Sequence, residues 1–200
     1  MKDIDCLVSI NLNMADLVNL SDEEVVRKVI EDQEQYAELV KRYEEKLNRY
    51  VNYLIGSSDE ASDVVQEAFI KAFVNLKGFD KKKGKFSSWI YRIAHNEAMN
   101  KVKKKKHLSL DFNDWLKEML PGKVNIEKEY EKNEEKEMVK KCLTSLGFKY
   151  RSVLSLYYLE DKSYDEISEI LKIPMGTVGI RLKRGKEKLK QVCSSSSGGL

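Results

Sequence analysis

Between Gln33 and Ile55 the apolar residues Tyr36, Leu39, Val40, Tyr43, Leu47, Tyr50, Val51 and Leu54 recur at intervals of three and four, with mixed charges between them. That spacing gathers all of them on one side of a helix and leaves the other side to water. Gly56 follows, the residue that most readily takes the left-handed conformation closing a helix. Long stretches repeat this period, strong strand signals are scarce, and the only prolines are Pro121 and Pro174. An all-α fold is expected. With 200 residues and apolar side chains enough for a modest core in each half, two small helical domains fit the length.

Other segments read the same way. Leu20-Ser21-Asp22-Glu23-Glu24 is a capped helix start followed by Val25, Val26, Val29 and Ile30. A third helix is predicted from Ser58 or Asp59 to Leu76, burying Ala61, Val64, Val65, Ala68, Phe69, Ala72, Phe73 and Leu76. A fourth is predicted from Ser87 to Lys105, after the loop GFDKKKGKF. Residues 1–19 include CLVSINLNM, which alternates weakly like a strand without an evident partner, and are expected to be loosely ordered. The run SSSSGGL, residues 194–200, is low-complexity and expected to be disordered.

The segment from Ser163 to Lys190 reads as two helices about a tight turn. Ser163 and Glu166 form a capping box ahead of Tyr164, Ile167, Ile170 and Leu171. Lys172-Ile173-Pro174 breaks that helix, since proline lacks an amide donor and biases its predecessor away from helix. A second helix is predicted from Gly176 or Thr177, with Val178 and Leu182 inward and a series of arginines and lysines outward. In helix-turn-helix proteins the second helix enters the major groove and its cations grip phosphates.

Net charge is only +3, but it is unevenly spread. Residues 1–76 are acidic, Lys77 to Lys106 are strongly basic, and 172–193 form a second basic block opposed only by Glu187. Two separated basic patches suggest two contacts with one polyanion. Cys6, Cys142 and Cys193 are odd in number and far apart, so neither a disulfide framework nor a zinc site is indicated. No charged-then-apolar leader and no apolar run of bilayer length occurs, which argues against a signal peptide or membrane insertion and for a cytoplasmic protein.

The segments DEASDVVQEAFIKAFVNLKGF and KFSSWIYRIAHNEAMNKVKKKK together resemble region two of the sigma-70 family, and the terminal helix-turn-helix resembles region four. Their order in so short a chain, with the opening LSDEEVVRKVIEDQEQYAELVKRY, resembles the two-domain extracytoplasmic-function (ECF) sigma factors of bacteria. The resemblance implies region two at 20–106, a flexible linker at 107–130, and region four at 131–193. Roughly 80 Å of extended linker would span promoter elements that lie roughly 50 to 70 Å apart.

Roles implied by the resemblance fall on named residues. Asp63, Gln66, Glu67 and Ile70 would dock on core RNA polymerase, acids and an amide on neighbouring parts of one helix face suiting a basic partner. Lys83, Lys85, Trp89, Arg92, His95, Asn96 and Lys103 would contact the minus-ten element and capture a flipped base, whose unstacking costs a few kcal/mol. Asn96, able to donate and accept, is the first choice for base contact, whereas Trp89 reads mainly as a packing residue. Phe79 and Phe86 are either core or loop residues. Thr177, Gly179, Ile180, Arg181, Lys183 and Arg184 would read the minus-thirty-five element, although Gly179 and Ile180 depart from the polar pattern usual there. Gly147 stands where the family commonly has proline. Promoter DNA, core RNA polymerase and an anti-sigma factor are the implied partners.

His95 and His107 are the only histidines, and no glycine-rich phosphate loop, nucleophile triad or paired-carboxylate motif occurs. An enzyme is therefore not expected, and no cofactor is implied. The alternative is a stand-alone helix-turn-helix regulator that binds duplex DNA without polymerase.

Overall fold

A computed structural model describes Leu17 and residues 19–108 and 134–196. The expectations for the strand-like start, for residues 109–130 of the linker and for the last residues of the tail lie outside the described residues. Eight α-helices and no strand occur among those described: α1 (Asp22–Glu31), α2 (Tyr36–Ile55), α3 (Ser58–Val74), α4 (Phe86–Leu108), α5 (Glu134–Thr144), α6 (Phe148–Tyr158), α7 (Tyr164–Leu171) and α8 (Met175–Ser196).

Helix starts follow local chemistry. Ser21 and Glu24 form the expected capping box, and Gly56 closes α2 in the left-handed conformation at φ 88°. Gln33–Gln35 form a 3₁₀ turn rather than the first turn of α2, because the Asp32 side chain accepts from Glu34 N at 3.1 Å. Helix α3 stops at Val74, and Leu76–Gly78 form a separate 3₁₀ turn.

Leu39, Leu47, Tyr50, Val51 and Leu54 of α2 meet Val65, Ala68 and Ala72 of α3 and Phe86, Ile90 and Ala94 of α4 in the first core. Each fully buried large side chain there contributes about 1.5–3 kcal/mol. Phe73 departs from its predicted inward place: it is 37% exposed and rests its ring 5.0 Å from that of Tyr36. Arg42 ties α1 down, donating to Glu38 at 2.8 Å, to Asp22 and the Leu20 carbonyl at 2.9 Å, and to the Leu17 carbonyl.

In the C-terminal half, Leu143, Leu146, Val153, Leu154, Ile167, Ile170, Val178 and Leu182 form the second core. Ser163 and Glu166 cap α7 as expected, and Lys172 turns the chain in the left-handed region at φ 52°. Helix α8 begins at Met175, earlier than predicted, with the Pro174 carbonyl accepting from Thr177 N and Val178 N at 2.8 and 3.1 Å. Proline fits there because the first turn of a helix has no use for its missing N–H. At its far end α8 extends into the serine run as far as Ser196, so residues 194–196 are helical where the low-complexity composition predicted disorder. A Cβ on Gly185 would sit 3.1 Å from Leu154 Cδ1, so α8 and α6 pack with only hydrogen between them at that point.

Contrary to the sequence reading of unpaired thiols, Cys142 of α5 and Cys193 of α8 are joined as a disulfide, with 5.8 Å between their Cα atoms. They are 51 residues apart, so the pairing arises from the packing of α5 on α8, which Cys spacing does not encode.

The two halves also pack on each other. Glu160, whose side chain is 1% exposed, accepts from Arg49 of α2 and from Tyr91 Oη of α4 at 2.6 Å. Arg151 of α6 reaches back to the Leu54 carbonyl at the end of α2. A single cluster of buried apolar residues runs through both halves.

Candidate polymerase and nucleic-acid interfaces

Helix α3 holds Asp63, Gln66, Glu67 and Ile70 together on its exposed side. Glu67 lies 3.3 Å from Lys71, whose ammonium is bound more closely by Glu97 at 2.6 Å. Ile70 is 58% exposed and Val74 73%, and with Phe73 they add an apolar ridge beside the acids. Val74 was not singled out from the sequence, and its place one turn after Ile70 was the available signal.

The basic loop is built by short-range bonds. Asp80 Oδ1 accepts from Lys82 N at 3.0 Å, making the 3₁₀ turn Lys81–Lys83, and Gly84 follows at φ 148°, a conformation open to glycine. This directs Lys83 and Lys85 towards the start of α4. There Phe79, Phe86 and Trp89 form a three-ring cluster with centroids 5.5–5.7 Å apart. Phe86 is the buried member, while Phe79 and Trp89 are half-buried.

Trp89 stands between two clefts. One, of about 100 Å³, is lined by Lys83, Lys85, Ser88, Trp89 and Arg92. The other, of about 420 Å³, is lined by Trp89, Ile93, Asn96 and Lys71. Ser88 was missed in the sequence; its buried Oγ has no hydrogen-bond partner among the described residues and belongs to the first cleft's wall. The geometry thus brings Lys83, Lys85, Trp89, Arg92 and Asn96 together, with exposed Lys103 two helical turns along, about 10 Å away.

His95 is not on this surface. It is 8% exposed, its Nδ1 lies 3.0 Å from Tyr50 Oη, and its ring faces Phe148 of the other half at 5.3 Å. Burial, and secondarily the charge of Arg181, lowers its pKa to about 4, so the ring is neutral at neutral pH. In this packed arrangement His95 is withdrawn from the surface that Lys83, Trp89 and Asn96 share, for reasons the period of α4 did not reveal.

On α8, Lys183 and Arg184 are exposed and Ile180 is 54% exposed. Thr177 is half-buried, and Gly179 faces Tyr164, with 3.6 Å between a would-be Cβ and that ring. Arg181 is half-buried, and its charge adds to the lowering of the His95 pKa. Helix α8 therefore presents Ile180, Lys183 and Arg184 on its exposed side, with Thr177 and Arg181 half-buried beside them.

Residues 39–108 match the family model of Sigma-70 region 2, and residues 136–189 that of Sigma-70 region 4. The ECF RNA polymerase sigma factor SigW of Bacillus subtilis is 35% identical over 168 residues, covering 80% of this chain and 89% of the relative. The chain belongs to the ECF sigma factors. The ECF RNA polymerase sigma-E factor of Escherichia coli K12 is 33% identical over 183 residues, covering 85% of this sigma factor and 93% of the relative. Its fold is similar to that of the sigma factor RpoE of Bartonella quintana, solved with the anti-sigma factor NepR, at a TM-score of 0.64 and 20% identity over 80% of this chain and 96% of that one. It is also similar to that of CnrH, solved with the cytosolic domain of CnrY, at a TM-score of 0.66 and 20% identity over 87% and 97% of the two chains. No described helix of this sigma factor is long and apolar enough to cross a membrane.

Proposed function

We propose that this ECF sigma factor docks on core RNA polymerase through Asp63, Gln66, Glu67 and Ile70, reads the minus-ten element with the α4 surface, and reads the minus-thirty-five element with α8. The observation that carries the reading is Trp89 between its two clefts, with cations on one side and Asn96 on the other. A single strand needs that combination: a cationic track for phosphates, an aromatic face, and an amide able to donate to and accept from a base edge. Phe73 and Val74 extend the polymerase contact with apolar area.

The protein acts in the cytoplasm by binding and strand opening, and the polymerase does the chemistry. An anti-sigma factor is the expected antagonist, a reading supported by relatives of the same fold solved in such complexes. A stand-alone regulator is not favoured, because both sigma regions are present in one chain.

Run-off transcription with bacterial core polymerase and the DNA upstream of this protein's own gene tests the proposal. A discrete transcript is expected that core alone does not make. Asp63→Arg should abolish it by weakening core binding, and Asn96→Ala should reduce open-complex formation while leaving core binding intact. A protein that fails to bind core polymerase would overturn the reading.

A further inference from the structure

Helix α7 of region four lies across the basic loop of region two. Glu166 Oε1 is 3.8 Å from Lys85 Nζ, and Glu169 forms part of the wall of the cleft that Lys83, Lys85 and Arg92 line. A Cβ on Gly84 would be 3.4 Å from Glu169 Oε2, so that carboxylate rests directly on the loop backbone. Carboxylates thus stand where the phosphates of a bound strand would meet these cations. Lys85–Glu166 is long and its lysine is largely exposed, and such pairs contribute little to stability. Besides the apolar cluster shared by both halves, α7 is held there by the buried carboxylate of Glu160 between Arg49 and Tyr91.

We infer that the acidic face of α7 is a built-in competitor of the DNA strand: in the free protein Glu166 and Glu169 occupy the phosphate sites of the minus-ten cleft, and the Arg49–Glu160 pair latches them in place. The inference rests on the reading of Lys83, Lys85 and Arg92 as strand contacts. It explains physically how one chain carries a single-strand site that is partly blocked in the free protein: the apparent affinity scales with the fraction of molecules in which α7 has lifted.

The test is fluorescence anisotropy of a short labelled oligothymidylate with the full chain, since phosphate contacts are indifferent to sequence. In Glu166→Gln/Glu169→Gln, glutamine at 166 retains the capping box, so α7 stays formed. If most of the wild-type protein is closed, this variant binds about tenfold more tightly. The latch variant Arg49→Met/Glu160→Gln is expected to gain affinity in the same direction. Glu34→Gln/Glu44→Gln, which removes equal charge from an exposed surface remote from both basic blocks, is expected to gain far less. Equal gains in that control would assign the effect to bulk charge and overturn the inference, as would no gain in either α7 or latch variant with their helicity intact by circular dichroism. Failure of the underlying reading looks different: polymerase loaded with Lys85→Ala/Arg92→Ala would then transcribe as well as with the unaltered protein, whatever the acidic pair does.

Discussion

Arg49 Nε and Nη2 donate to the two carboxylate oxygens of Glu160 at 2.8 and 3.0 Å, joining residues 111 apart in the chain. Bidentate pairs of this kind are among the stronger side-chain hydrogen bonds. Glu160 raises the Arg49 pKa, chiefly through these bonds, while burial opposes it.

Arg49→Ala leaves the Glu160 carboxylate buried with Tyr91 as its remaining donor. Breaking a fully buried pair costs about 3–5 kcal/mol. The Arg49 side chain is 43% exposed, so water screens part of this, and a loss of about 2 kcal/mol is expected. The two halves should separate before either unfolds. Small-angle scattering should report a larger radius of gyration with helicity unchanged by circular dichroism; an unaltered radius would contradict the latch.

His95 makes the closed protein sensitive to acid. Its pKa is lowered from 6.5 to about 4 by burial and then by Arg181, so an opened or unfolded chain takes up a proton that the closed form refuses. The stabilisation is complete above pH 6.5 and is lost as pH falls from there towards 4, on the order of 3 kcal/mol in all. Urea titrations across that window should give a steeper fall for the unaltered protein than for His95→Phe. Parallel curves would show that the ring does not govern closure.

The Cys142–Cys193 bond closes a long loop around the whole helix-turn-helix. Reducing it is expected to cost about 2–4 kcal/mol, mostly by freeing the unfolded chain. Thermal melts of oxidised protein with and without dithiothreitol, against Cys193→Ser, measure this. The variant should match the reduced protein and show no response to reductant.

Gly147 precedes α6 at φ −59°, within proline's fixed range, and among the described residues its N–H donates no backbone hydrogen bond. Gly147→Pro should therefore stabilise the protein by about 0.4–1 kcal/mol through the unfolded chain. A lower melting temperature would mean that the proline ring meets the preceding residue.

Much of this protein was legible before any coordinates, because the signals are local. The period of α2, the glycine that ends it, and the paired capping boxes Ser21/Glu24 and Ser163/Glu166 each depend on residues within a turn or two of one another. The grouping of Asp63, Gln66, Glu67 and Ile70 on α3 needs nothing beyond helical geometry. Family motifs extended that reading to function, since they join such local patterns in a given order.

What the linear pattern left open is which surfaces meet. Phe73 has the spacing of a core residue, but α3 turns it to the rim against Tyr36. His95 has the spacing of a surface residue, but packing of region four encloses it between Tyr50 and Phe148. Cys142 finds Cys193, and Arg49 finds Glu160, across separations at which no periodicity operates. A side chain's helix and face are set by its near neighbours in sequence, whereas its burial and its partners are set by elements packed from elsewhere in the chain. The sequence alone therefore established an all-helical sigma factor with two separate basic blocks; the packing of its halves decided that α7 lies against the basic loop and that His95 is enclosed.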